Sequence, residues 1–589
     1  MIYAGRILLV LIALSVPLAA VQEATLRRQL QALEREENYA AALPLYTELR
    51  QLAPQDSSLL YGQVRALAAV GQHEGAVAVL KPWLEQHDEV EAYLALGRAY
   101  HALEHNERAL KTWRRLLKRH AQDPQLYLQV SQYCRAAGLL DAAIETLEEG
   151  RAKLRQDQLF AWDLAELHLQ RRDYVQAVRQ YVAYLLEDPH RFAQVEYRLQ
   201  PIAADPRQGA ILLDALLDLL EKGEPSQLLV RLTAVLALEA GQPDRAYKIM
   251  MALDAEQPTL VFDFATRAQN LGHHKTAARA YALFAARSPD SPHFYRALLL
   301  QAENLTRAHK YGQAAALYRD LARRFPHQRE TIEALFHLGK LQLEVEGDPA
   351  AAQQTLKSIV QAPNSSAWRA EIFVLLSECA LRLGDFGSAE NYIDQLLQRH
   401  PRQRQRGRYA GAELHYFQGD FAAALENLND LLEDDPHGEW GNDALVLTLR
   451  LEQHKENTAA LEHFAQAQLQ QRLGQPDQAA RHWDWLLAQG PPALQAQSLL
   501  LRAQRHFAAD NLAEALKLYQ LLVERYAYEH YTLEAQMGSA ALYEYQGDLD
   551  QALKTYETAL LAYPGDVRVP QIRLHIQRLR AALQERREG

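Results

Sequence analysis

The phrase LGDFGSAENYIDQLLQRHP at 383–401 returns at 418–436 as QGDFAAALENLNDLLEDDP, and again at 546–564 as QGDLDQALKTYETALLAYP. A chain that repeats one short phrase builds one small unit many times over. In the last copy, apolar residues recur at helical spacing up to Tyr545, Gly547 ends that helix, and Asp548 opens the next. Glycine accepts the left-handed conformation that follows a helix C-terminus. Aspartate accepts hydrogen bonds from the free amides of the next first turn, and Gln551 stands three residues on, as a capping box requires. Ala552, Tyr556 and Ala559 share one face of the second helix, and Pro564 closes it. Ala540, seven residues before Gly547, supplies a matching small residue on the first helix. The unit is a helical hairpin with a tight waist.

Small residues twelve apart mark the same waist through the chain. Gly97 with Ala109, Ser131 with Ala143, and Ala165 with Ala177 follow one another at a period of about 34. Leu30 with Ala42 and Val64 with Ala76 extend the series towards the N-terminus. Ala234 with Ala246, Ala265 with Ala277, Ala302 with Ala314, and Gly339 with Ala351 continue it. Ser377 with Ala389, Ala412 with Ala424, Ala467 with Ala479, Ala503 with Ala515, and Ala540 with Ala552 complete it. Isolated helices shorter than ~12–15 residues are marginal in water, so each hairpin must bury its faces on its neighbours. The expected fold is an all-α solenoid of about fifteen hairpins, counting one degenerate unit at 192–226.

Tyr93, Gly97, Tyr100, Ala109 and Trp113 in one unit, Tyr181 and Pro189 in a second, and Tyr318 and Pro326 in a third carry a family likeness. On these residues and this period the chain resembles the tetratricopeptide repeat (TPR) superfamily. The resemblance implies a right-handed superhelical solenoid of TPR-like hairpins. In the second half the period lengthens to about 36–38, with phrases such as RRFPHQRETIEALFHLGK at 323–340. That longer linker is similar to the repeats of bacterial envelope proteins such as the TolA-binding protein and the outer-membrane assembly lipoprotein.

The N-terminus differs from the rest. Arg6, the apolar run Ile7 to Leu14, Pro17 and the small residues Leu18-Ala19-Ala20 stand in the order of a secretory signal with cleavage after Ala20. The alternative is an uncleaved anchor, although the run is short beside the ~20 residues of a membrane span. No Cys at the cleavage point invites lipid attachment, and no later segment approaches a span. The expected organisation is a signal peptide at 1–20, an N-terminal solenoid at 21–191, and the degenerate unit at 192–226 as a candidate hinge. A C-terminal solenoid at 227–567, with an extra helix at 441–453, and a capping helix at 568–589 follow. Pro201 and Pro206 interrupt the degenerate unit. Trp440, Trp483 and Trp485 form a candidate aromatic cluster.

At 589 residues the chain exceeds the ~250–300 that one core supports, consistent with an array. Its net charge of −11 is well mixed, which argues against a nucleic-acid partner. Cys134 and Cys379 lie too far apart in an array for a disulfide and read as buried fillers. No metal spacing, P-loop, GxSxG or Rossmann glycine set is present, so no catalytic residue, metal or cofactor is expected. His273-His274 reads as a surface turn, and the sequons at Asn304 and Asn364 as chance triplets.

In the superfamily that the chain resembles, the first helix of each hairpin lines a concave groove that holds a peptide or a partner helix. By that register the groove positions include Arg65, Arg98, His101, Arg135 and Trp162 in the first half, and Phe336, Tyr409, Glu413, Tyr416 and Phe507 in the second. The first set suits an acidic segment, and the second offers aromatic anchors. The Lys and Asn set with which some members clamp C-terminal carboxylates is absent from the corresponding positions. The expected function is an exported, periplasmic, non-enzymatic scaffold that binds proteins or peptides in envelope assembly, protein export or polysaccharide secretion. An accessory helical subunit of a glycan-processing envelope complex stands as the alternative. Localisation outside the cell, or at the membrane through an uncleaved leader, also remains open.

Overall fold

The computed structural model describes residues 18–222, 226–252, 257–526 and 529–588, and every regular element among them is helical. The apolar leader lies outside the described residues, as does the side chain of Ala20. Among the described residues no helix is long and apolar enough to cross a membrane.

The repeated phrase folds as its chemistry dictates. Gly384, Gly419 and Gly547 hold φ of +76°, +82° and +78°. The Asp385, Asp420 and Asp548 carboxylates accept from the amides of Ser388, Ala423 and Gln551 at 3.0, 3.1 and 3.2 Å. Seven residues after the first small residue of a pair, the backbone turns left-handed along the array. Glu37, Glu104, Arg172, His309 and Asp510 adopt that conformation without being glycine. Each of these carries a steric cost of ~1–2 kcal/mol, which the packed hairpin on either side must offset.

One hairpin departs from the spacing. Helix Arg329–Leu341 continues into a π turn, Gln342–Glu346, which inserts one residue into the first helix. The left-handed residue is therefore Gly347, eight after Gly339. The expected waist partner Ala351 is half-exposed, and Ala352 takes the fully buried position instead. Elsewhere the waists are tight. A Cβ on Gly97 would come within 2.0 Å of Trp113 Nε1.

The chain divides into two compact units, Met1–Arg287 and Ser288–Gly589. The boundary expected at 192–226 therefore falls elsewhere. Helices Phe192–Ala204 and Pro206–Lys222 stay within the first unit, although residues 223–225 lie outside the described ones. Pro206 opens its helix, where a missing amide costs nothing. Val195, Leu199, Ala203, Leu212, Leu213 and Leu216 are buried, so the hydrophobic contacts run on through this stretch. Arg267, on helix Pro258–Asn270, pairs with Glu196 of the degenerate unit and also with Glu239, the latter at 2.6 Å.

In the second unit an additional helix, Gly441–Gln453, stands between two hairpins. The last helix, Val569–Glu588, buries Ile572, Ile576 and Leu579 against the hairpin before it. The three tryptophans belong to one hydrophobic cluster but take separate ring partners within it. Trp440 stacks on Tyr409, Trp483 meets Phe464 edge-on, and Trp485 lies flat on His463. Cys134 and Cys379 are free and buried, and burial pushes their thiols up to about 11 and about 12.

Candidate functional site

Three helices of the second unit, Arg369–Arg382, Arg404–Gln418 and Thr458–Arg472, share one side-chain network, and Gly441–Gln453 lines a cavity beside it. The repeat itself places its members. Glu378, Glu413 and Gln468 each follow the small waist residue of a first helix, so they stand in a row on successive hairpins. Arg472, in the last turn of the third, reaches back across that row. Its Nε and Nη2 donate to Glu378 at 3.1 and 2.6 Å, and its Nη1 donates to both oxygens of Glu413 at 3.1 Å. The guanidinium also lies over the Phe417 ring, 5.6 Å from its centre.

The chain of bonds extends further. Arg382 donates to Glu378 at 2.6 Å and to the Leu343 carbonyl, within the π turn, at 3.0 Å. The π turn thus presents a backbone acceptor to this partly buried ion network. Two guanidinium groups meet two carboxylates, which leaves the network itself neutral. Burial holds the Glu413 carboxyl above its ordinary range, and Arg472 offsets only part of that rise. Burial disfavours the Arg472 charge, but Glu413 and Glu378 outweigh it and hold the guanidinium above its ordinary range. The symmetric donor geometry on Glu413 is that of an ionised carboxylate, so we read the pair as charged at neutral pH.

Two cavities open beside this pair. One, of about 300 Å³, is lined by Leu343, Val374, Arg406, Tyr409 and Trp440 as well as the network. The other, of about 450 Å³, is lined by Tyr416, Asp443, Val446, Arg450 and Arg505 besides Tyr409, Glu413 and Arg472. Tyr409 and Trp440 stack at 5.0 Å along the first, and the Tyr416 hydroxyl donates to Gln468 at 2.9 Å in the second. Aromatic faces, guanidinium donors and carboxylate acceptors thus stand side by side along the two cavities.

The structure brings Tyr409, Glu413 and Tyr416 together here, but not Phe336 or Phe507. Phe336 and Tyr416 are core residues at 7% and 2% exposure, so neither ring is a free anchor. Phe336 belongs to one buried cluster with Ile372 and Phe373 of the following hairpin, and Tyr416 to another with Phe464 and Leu469 of the hairpin after the inserted helix. Phe507 is half-buried against Tyr545 at 5.9 Å.

In the first unit Arg65 and Arg98 share a cavity of about 270 Å³. Arg98 is held by Glu91 at 2.9 Å and lies 5.1 Å over the Tyr133 ring. His101 Nδ1 is 2.8 Å from Asn106 Oδ1, within its own hairpin. Arg135 is exposed and does not line that cavity, and Trp162 packs on Tyr181 and Tyr184 at 5.3 Å.

Sequence reasoning missed Glu378, Arg382, Arg450, Arg472 and Arg505. The recurrence of an acid just after the waist at 378 and 413 was the available signal. It also missed Glu303, Glu333 and His337, whose ligating atoms lie within 4.8 Å of one another. Arg296 already pairs with Glu333 at 3.1 Å, so an ion-pair network accounts for that group.

Profiles of the tetratricopeptide repeat match residues 33–96, 94–158, 333–365, 374–437, 464–530 and 534–566. Tetratricopeptide repeat protein 8 of Caenorhabditis elegans is 25% identical over 162 residues, which are 27% of this chain and 32% of that protein. The chain thus spans about a third of the curated relative it matches. A tetratricopeptide repeat protein of Parabacteroides merdae is similar at 15% identity and a TM-score of 0.31, over 48% of this chain and 99% of that one. A chain in the structure of Naa15/Naa10 bound to HypK-THB is similar at 14% identity and a TM-score of 0.22, over 96% of this chain and 97% of that one.

Proposed function

The chain belongs to the tetratricopeptide repeat family, and from that premise we propose an exported, non-enzymatic scaffold whose second unit binds a segment of a partner protein. The observation that carries the reading is the ordered network of Arg472, Glu378 and Glu413 between two open cavities. A surface whose rotamers are already fixed loses less entropy when a ligand arrives, so more of the contact energy appears as affinity. Binding proceeds by many small contacts along successive first helices, with no covalent step.

Export rests on the leader, in which Arg6, the run Ile7 to Leu14 and the small residues before Val21 follow in signal order. The periplasm is the proposed compartment. Envelope assembly, protein export or polysaccharide secretion is the proposed setting, supported by the longer repeat period of the second half.

Affinity purification of the tagged chain from envelope extracts tests both parts. The reading expects a mature N-terminus at Val21 and a stoichiometric partner that is lost from the variant Val446→Asp/Leu449→Asp and retained by Leu561→Asp. A partner kept by all variants, or clearing of a peptidoglycan gel by the purified chain alone, contradicts it.

A further inference from the structure

We propose that the segment bound by the second unit is acidic and amphipathic, with its apolar face on the Gly441–Gln453 helix and its carboxylates on Arg450 and Arg505. This rests on the protein-binding reading above and names the partner's chemistry.

The inserted helix has two apolar sides. Ala444, Leu447 and Leu451 are buried against the array. Leu445, Val446 and Leu449 face outward at 47%, 53% and 47% exposure. Three large apolar residues within four positions of one exposed face form a patch of the kind that marks an interaction site. Covering what remains exposed of these side chains takes further apolar area out of water, which draws a partner's apolar face to this strip.

Charge decides what accompanies that face. Val446 and Arg450 are one helical turn apart, and both line the 450 Å³ cavity. Arg472 in that cavity is satisfied by Glu378 and Glu413. Arg450 is not paired in that way: its Nε donates to the neutral Gln497 side chain at 3.1 Å, and it lies 4.9 Å over the Phe464 ring. Arg505 makes a long contact to the Gln471 carbonyl at 3.5 Å. Arg450 and Arg505 thus stand at the cavity with one further charged residue, the exposed Asp443, beside the paired Glu413 and Arg472.

Guanidinium groups favour planar carboxylates, with which they form paired charge-assisted bonds. A lysine presented here would meet two cations against the single carboxylate of Asp443, and a neutral amide would leave a net positive charge. The chain as a whole carries −11, which repels an acidic ligand at long range. That repulsion is screened beyond ~8–10 Å, so the local arginines decide the contact. These arginines come from the inserted helix and from helix Pro492–Ala508, two hairpins on, and the terminal carboxylate of a chain is not required.

The test uses the full chain and three fluorescent helical peptides of about five turns. All share one leucine stripe, and their polar faces carry Glu, Gln or Lys. Fluorescence anisotropy is expected to show the Glu peptide binding ~10-fold tighter than the Gln peptide, with the Lys peptide weakest. Arg505→Gln, at an exposed position, and Arg450→Gln should each reduce the Glu preference ~5-fold, and Arg505→Gln should leave the melting temperature unchanged. Val446→Ser/Leu449→Ser should weaken the Glu and Gln peptides alike.

Equal binding of the Glu, Gln and Lys peptides, or a Glu preference that survives Arg505→Gln and Arg450→Gln, overturns the acidic-segment inference and leaves the scaffold reading standing. Absence of binding by all three peptides overturns the inference as well. The scaffold reading falls separately, through the co-purification result.

Discussion

Arg472 Nη2 lies 2.6 Å from Glu378 Oε2 across 94 residues of sequence, and Glu413 takes the same guanidinium's Nη1 at 3.1 Å. A single arginine therefore ties together three successive first helices of the second unit. Removing it strips Glu413 of its guanidinium in a partly buried setting, while Arg382 still neutralises Glu378. Arg472→Met is expected to cost ~2–4 kcal/mol, because an ion network broken at one member leaves uncompensated charge. Glu413→Gln should cost less, since the amide oxygen still accepts from the guanidinium, which keeps both of its bonds to Glu378. Urea denaturation of the two variants checks the order. A smaller loss for Arg472→Met than for Glu413→Gln would show that the network is not organised around the arginine.

The left-handed turns give a second prediction. Glu104 and Asp510 hold φ of +60° and +59°, where most hairpins use glycine. Glu104→Gly and Asp510→Gly are each expected to stabilise by ~0.5 kcal/mol, as relieved strain exceeds the added freedom of the unfolded chain. Gly419→Ala should destabilise by ~1 kcal/mol for the converse reason. Denaturation midpoints of the three variants decide this.

The waist supplies a third. A methyl on Gly97 would stand 2.0 Å from Trp113 Nε1, whose hydrogen points to the Leu94 carbonyl at 3.4 Å. Gly97→Ala should cost ~1–3 kcal/mol by overpacking, with near-ultraviolet circular dichroism reporting the displaced indole.

A pair of histidines sets a pH dependence. His463 and His482 approach at 3.0 Å between their Nδ1 atoms, and His463 lies flat on Trp485. Burial lowers both below the usual 6.5; for His463 the neighbouring His482 adds to the shift, and Glu462 opposes it. As pH falls, the unfolded chain therefore takes up these protons first. The stabilisation is present above the ordinary histidine value and is lost as pH falls through the lower folded values. Melting temperature should be flat above pH ~7 and decline towards pH ~5, with a shallower decline in His463→Gln/His482→Gln. An unchanged slope in that variant would remove the pair from the account.

The hairpins were legible because their cause is local. Glycine, aspartate and a small residue at fixed offsets act within one turn of themselves, so Gly547, Asp548 and Ala552 could be read from the chain. The π turn at 342–346 was not, because it changes spacing by a single residue without altering composition. It moved the buried partner from Ala351 to Ala352. Tyr409, Glu413 and Tyr416 were found by register, since register fixes the face of a helix. Register could not show that the next hairpin covers Phe336 and the Tyr416 ring. The Arg472–Glu378 pair was out of reach for a further reason: it joins positions whose proximity depends on how whole hairpins stack.

The central claim is that a partner protein contacts the second unit beside the Arg472 network. Its most direct test is a photo-crosslinking amino acid placed at Val446 in the living cell, with the more exposed Leu561, at 81%, as a control. The account predicts one protein adduct of defined mass from position 446, its absence from 561, and its loss when Val446 labelling is combined with Arg505→Gln. Adducts of equal yield from both positions, or none from 446 while the partner still co-purifies, would contradict it.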